Sequence, residues 1–172
     1  NSGVIKNISI RHSGAHIGEG NQIHGLTLGG VGNGTVIENL EIVSNQDDGI
    51  EWFGGTVDVS NVLIWNCGDD GLDTDQAWNG TCTNFAVVTP VGGSGMELDG
   101  PEGSLTQGPN SFVNGVIFAG ADIDHLIDWD DNTNTGISDV YFFGIDAAYS
   151  GTGIESFGGD GSGNTANWQY TL

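Results

Sequence analysis

Apolar and polar residues alternate along this chain in short runs of four to eight, and Gly, Asn or Asp interrupts them at every few positions. That is the pattern of brief strands half-buried on one face, joined by tight turns. Six runs share one form, with an Asn or Asp two residues after an apolar one: IKNISI, IENLEI, VSNVLI, CTNFAV, FVNGVI and ISDVYF. They centre on Asn7, Asn39, Asn61, Asn84, Asn114 and Asp139, at successive spacings of 32, 22, 23, 30 and 25 residues. A second series lies about half a period later: GLTLGG, GIEWFGG, GLDTDQ, GMELDG, LIDWDD and GIESFGG. It aligns Leu26, Ile50, Leu72, Met96, Ile127 and Ile154.

Two short strands per period, with the same residue type returning at the same phase, predict an all-β solenoid: a right-handed parallel β-helix of about six coils over residues 1–172, as a single domain. The handedness follows the general habit of parallel crossovers. Equal phase in such a fold means vertical stacking about 4.8 Å apart. The Asn series therefore reads as a ladder in which each side-chain amide bonds the next. A leucine-rich repeat, a propeller blade or a sandwich does not reproduce this spacing. The strand pattern starts almost at the first residue, which suggests a segment of a longer exported chain.

Composition sharpens the picture. The chain has 31 Gly, and 23 Asp and Glu against only Lys6 and Arg11, for a formal net charge of −21. Nucleic acid is excluded as a partner, since neutralising phosphates needs several basic groups. An anionic membrane surface is disfavoured for the same reason, and no apolar run is long enough to span a bilayer. Self-repulsion on this scale calls for high salt or bound cations. Cys67 and Cys82 leave a disulfide and two buried thiols both open, with Cys82 on an expected core position.

Candidate chemistry lies in the acidic residues. Asp47-Asp48 and Asp69-Asp70 fall at one phase of consecutive coils, each pair followed by Gly. Stacked carboxylates repel one another by about 1 kcal/mol even in water. Ca²⁺, which takes six to eight oxygen ligands, is the expected cofactor there; the alternative is a set of solvated Asx turns. Glu51, Asp73, Glu97, Asp128 and Glu155 share a second phase, followed two residues later by Phe53, Asp75, Asp99, Asp130 and Phe157. Alternation with Ile50, Leu72, Met96 and Ile127 aims this double column outward. Trp52, Trp65, Trp78 and Trp129 lie within or beside these strands, and Trp168 lies near the end of the sequence. Trp52 with Glu51, Trp78, and Trp129 with Asp128 and Asp130 are candidate glycan contacts, the alternative being simple packing under loops.

The run from Asn21 to Gln76 also resembles a family of secreted or lipid-anchored β-helix proteins of Bacteroidota whose role is unassigned, and the resemblance extends over roughly Gly3 to Gly103. The hallmarks are N-Q-I-H-G-L-T-L-G-G-V-G-N-G-T at Asn21–Thr35, D-D-G-I-E-W-F-G-G-T-V at Asp47–Val57 and D-D-G-L-D-T-D at Asp69–Asp75. The resemblance implies an extracellular or outer-cell-surface location and supplies no catalytic residues.

The functional expectation is a structural, adhesive or glycan-binding surface module with Ca²⁺-stabilised turns. Polysaccharides or other surface proteins are its expected partners, and copies can associate end to end through open strand edges. The alternative is a glycoside hydrolase using Asp73, Asp75, Glu97 and Asp99, since C-G-D-D-G-L-D resembles the G-D-D motif of polygalacturonases. An inverting pair needs carboxyl groups about 6.5–9.5 Å apart. A lyase is the least favoured reading, because only Lys6 and Arg11 offer a basic group. His12, His16, His24 and His125 show no zinc-ligand spacing.

Overall fold

A computed structural model describes residues 3–18, 22–106, 108–130, 132–143 and 165–170. All its regular elements are strands: β1 (Val4–Arg11), β2 (Leu26–Gly29), β3 (Val36–Val43), β4 (Ile50–Phe53), β5 (Val59–Trp65), β6 (Leu72–Asp75), β7 (Thr81–Val91), β8 (Ser94–Leu98), β9 (Asn110–Asp122), β10 (His125–Trp129), β11 (Thr135–Phe143) and β12 (Thr165–Tyr170). They alternate between a long sheet ordered β1-β3-β5-β7-β9-β11-β12 and a short sheet containing β2, β4, β6, β8 and β10. Every pairing is parallel. The chain is thus a parallel β-helix, each coil contributing one long and one short strand. The expected sixth short strand, with Ile154, Glu155 and Phe157, lies outside the described residues.

The Asn positions do not lie in turns just before short strands but are corners within the long strands. Asn7, Asn39, Asn61, Asn84, Asn114 and Asp139 all sit in the left-handed region, at φ from 55 to 59°. Asn is among the few side chains that tolerate this conformation. One such residue breaks the in-out alternation, so Ile37 and Leu40, three apart, both point into the core. Each coil therefore has three straight sides, and three inward columns line the long sheet. Two of them run Ile37–Val59–Cys82–Phe112–Ile137 and Ile42–Ile64–Val87–Ile117–Phe142.

The amides form the expected ladder. Asn39 Nδ2 donates to Asn7 Oδ1 at 2.9 Å, Asn61 to Asn39 at 2.9 Å, Asn84 to Asn61 at 3.0 Å and Asn114 to Asn84 at 2.6 Å. Replacing Asn61 with Ala removes two such bonds and leaves in the left-handed well a residue without the local side-chain hydrogen bonding by which Asn tolerates it. The expected loss is about 2 kcal/mol, read from urea unfolding. Asn61→Gly restores the backbone freedom and should recover roughly half of it; equal losses for Ala and Gly would assign the whole effect to the amide bonds.

The short strands supply the opposing core wall, with Ile50, Leu72, Met96 and Ile127 in one register column. Gly49 and Gly71 precede two of these strands because the backbone of the next coil and the Ile64 or Val87 side chain fill the space a Cβ would need. Trp52, Trp78 and Trp129 are buried, and Trp52 stacks on Trp78 with ring centroids 4.6 Å apart. The Trp78 indole N–H donates to the Val57 carbonyl at 3.1 Å. These rings belong to the core, which corrects the expectation that they offer sugar-stacking platforms. Trp52 shares the inward face with Ile50, as Trp129 does with Ile127. Cys67 and Cys82 are free and buried, and burial pushes the Cys67 thiol up to about 12. Both are inert core residues rather than a disulfide.

Candidate functional site

The turn before each short strand places one residue of every coil at the same height on the outside of the solenoid. Backbone bonds from Gly25 to Asp48, Gly49 to Asp70 and Gly71 to Ser94 fix this phase. They bring His24, Asp48, Asp70 and Ser94 into one column. Each Asp in it links coils directly: Asp48 Oδ1 accepts the Asp70 backbone N–H at 3.0 Å, and Asp70 Oδ1 accepts that of Ser94. Part of the recurring Asp pattern is therefore structural, holding one turn on the next.

Three residues further on, the outward face of the short sheet carries Thr27, Glu51, Asp73, Glu97 and Asp128 in strict register. The column faces away from the core, but its middle is not open to water. Glu51 and Asp73 are only 6% and 7% exposed, and Asp47, Asp48 and Asp70 are buried as well. Glu97 and Asp128 are half-buried, whereas Asp69 and Asp130 are exposed. The two columns fold against each other, which packs carboxylates together on the outer wall.

The electrostatic consequence is large. Burial, reinforced by Asp48, Glu51 and Glu97, pushes Asp73 up to about 11. Glu97 rises to about 9 through burial and the Asp70 carboxylate. Asp69 and Asp99 each rise to about 6, because surrounding atoms keep water from the carboxyl group even though Asp69 as a residue is exposed, with Asp70 and Asp130 as their strongest repulsive neighbours. Asp47 and Asp70 are raised too, burial being the main cause.

One imidazole answers this charge at the lower end. His24 Nδ1 lies 2.9 Å from Asp48 Oδ2 and 3.1 Å from Asp47 Oδ2, and its Nε2 lies 2.5 Å from Glu51 Oε2. Hydrogen bonds to Asp48 and Glu51 raise it to about 10, so it is an imidazolium at neutral pH. Spacing along the sequence hid this role, because His24 meets its partners only across coils. The available signal was phase: His24, like Asp48 and Asp70, directly precedes the Gly of its coil.

Among the described residues, three groups place ligand atoms within 4.8 Å of one another: His24 with Asp47 and Asp48, Asp48 with Asp69 and Asp70, and Asp48 with Glu51 and Asp73. Asp48 belongs to all three. The first already holds its own cation in His24. The other two are all-oxygen sets, which suit a hard ion such as Ca²⁺ rather than zinc. All four residues expected at the metal site, Asp47, Asp48, Asp69 and Asp70, lie in this cluster. Asp73 and Glu97 belong to it as well, Glu97 hydrogen-bonding Asp70. Asp75 and Asp99 extend it along the short strands, and Asp128 and Asp130 lie at its upper end.

The stacked coils and the acidic outer wall define a parallel β-helix protein with a carboxylate cluster beside its short sheet. A family model for pectate-lyase-like β-helix domains matches residues 1–125, and the chain belongs to that family. The match spans the cluster from His24 to Asp99 and ends before Asp128 and Asp130 at its upper end. No curated protein and no solved structure matches the chain.

Proposed function

We propose that this chain is an extracellular, non-catalytic β-helix module that holds Ca²⁺ in its acidic cluster and serves as a structural or adhesive element of the cell surface. The observation that carries the reading is the convergence of three potential ligand groups on the buried Asp48. Buried carboxylates packed this closely cost free energy unless they are protonated or share a cation. Asp48, Asp69 and Asp70 make the favoured first site, since exposed Asp69 gives the ion a way in and leaves room for water ligands.

Calorimetric titration of Ca²⁺ into chelator-stripped protein at pH 7 tests this. Binding is expected, with affinity at least tenfold weaker in Asp48→Asn and unchanged in Glu102→Gln, a change at an exposed loop residue. Absence of binding heat in the wild type at several temperatures would refute the proposal.

Catalytic readings have less support. Asp73, the central residue of the hydrolase reading, is too buried to reach a sugar. Its register partner Glu97 sits on the neighbouring strand, at a backbone spacing of about 4.8 Å rather than across an inverting cleft. A lyase needs a base beside its substrate. The chain's only Lys and Arg pair with Glu38 at 2.7 Å and Glu41 at 2.5 Å on the long sheet, away from the cluster.

A further inference from the structure

The long sheet bears an outer surface of opposite character. Past the Asn corner, one outward column runs Glu41–Leu63–Ala86–Val116–Tyr141 and the next runs Val43–Trp65–Val88–Phe118–Phe143. Trp65, Phe118 and Tyr141 are 51%, 43% and 41% exposed, and Phe118 stacks on Phe143 with centroids 5.1 Å apart. A contiguous apolar, aromatic strip of this kind on an exposed sheet marks a binding surface. Beside it lies an open groove of about 860 Å³, with the Asn ladder along one side and Leu63, Ala86, Val116 and Tyr141 along the other.

We infer that this groove and strip bind a neutral polysaccharide chain lying along the solenoid axis. Charge selects the class of ligand. The protein carries −21, so its field repels uronans, sulfated glycans and other polyanions, while cationic polymers are drawn to the acidic wall. Among the described residues, Glu41 is the one carboxylate lining the groove, and Arg11 pairs with it at the lower end.

Chemistry selects the rest. A neutral glycan presents apolar ring faces and a rim of hydroxyls, and the surface offers the counterpart of each. Trp65 and Phe118 lie two strands apart in one column, about 9.6 Å at the usual strand spacing. Both provide faces for sugar rings. Along the ladder each amide uses one N–H and one lone pair on its neighbours. The second N–H and second lone pair remain for hydroxyls, once per coil. Two copies of the chain meeting face to face would cover the same strip, but would bring −21 against −21.

The test is affinity electrophoresis of the purified chain through gels containing hydroxyethylcellulose, mixed-linkage β-glucan or galactoglucomannan, with polygalacturonate as the anionic comparison. Retardation is expected on at least one neutral polymer and not on polygalacturonate. Trp65→Ala and Phe118→Ala should each weaken it about tenfold, and Trp65→Ala, at the more exposed of the two positions, should do so without lowering the unfolding temperature of the free chain. Retardation should persist in chelator at a temperature where the metal-free chain is folded, so this inference stands or falls separately from the Ca²⁺ site. Four results would each overturn it: no retardation on any neutral polymer, retardation insensitive to Trp65→Ala, retardation lost with chelator, or a sedimenting dimer that Trp65→Ala dissolves.

Discussion

Stripping divalent cations from this protein at pH 7 should lower its unfolding temperature by roughly 8–16 °C, and millimolar Ca²⁺ should restore it. The size follows from mass action. A ligand that binds only the folded state at a thousand times its dissociation constant stabilises by about 4 kcal/mol. For a chain of this length each kcal/mol shifts the midpoint by roughly 2–4 °C. The unfolded chain gathers no comparable set of oxygens, because the cluster joins residues from successive coils: Asp48, Asp70 and Asp73 meet only through stacking. Scanning calorimetry with excess chelator, then with Ca²⁺ added back, reads the shift. Asp48→Asn separates the metal effect from the structural one, since an Asn oxygen can still accept the Asp70 N–H while the charge shared by all three ligand groups is gone. With affinity at least tenfold weaker, that variant should lose at least about a third of the Ca²⁺-dependent shift. Identical midpoints for the wild type in both buffers would sink the cation reading and leave its acidic wall stabilised by protons alone.

How far the sequence carries depends on whether a feature is set by phase or by packing across coils. The Asn column and the Gly–apolar–acidic column were legible, because in a solenoid equal phase becomes direct contact, and the register pairs Ile50 with Leu72 and Glu51 with Asp73 as the alignment predicts. The corner at each Asn was not. Period-two alternation simply shifts by one at the left-handed residue, which in a linear reading looks like the start of a strand. The burial of Trp52 and Trp129 was legible but outweighed: alternation puts them with Ile50 and Ile127, and aromatic residues beside carboxylates drew the reading toward sugar stacking. The exposed aromatics are elsewhere, at Trp65, Phe118 and Tyr141. Trp65 stands among the tryptophans that the sequence places beside the acidic strands, but Phe118 and Tyr141 join it in one surface only when the outward columns of the long sheet are aligned past the corner. The depth of the carboxylate cluster was the least accessible feature, since it arises from two columns folding against one another rather than from either alone.

That depth produces an inverted pH profile. The metal-free protein should be more stable at pH 5 than at pH 8, opposite to a protein whose carboxylates are salt-bridged. Asp73 in the fold keeps its proton up to about pH 11, where the unfolded chain releases it near 3.8. Glu97 does the same between 4.5 and about 9, and Asp69 and Asp99 between 3.8 and about 6. His24 adds to the trend, holding its proton from 6.5 to about 10. Each group binds more protons folded than unfolded, so its stabilisation is complete below the unfolded value and disappears as pH rises through the folded one. One proton held only by the folded state costs about 1.4 kcal/mol of stability per pH unit. The buried Asp73 alone therefore removes about 4 kcal/mol between pH 5 and pH 8. Saturating Ca²⁺ must displace these protons, so its affinity rises with pH and the alkaline loss should shrink or reverse. Unfolding midpoints at pH 5, 6.5 and 8, with chelator and with Ca²⁺, measure both slopes. A chelated protein more stable at pH 8 than at pH 5 would mean that these carboxylates are ionised in the fold, and that some other group already neutralises them.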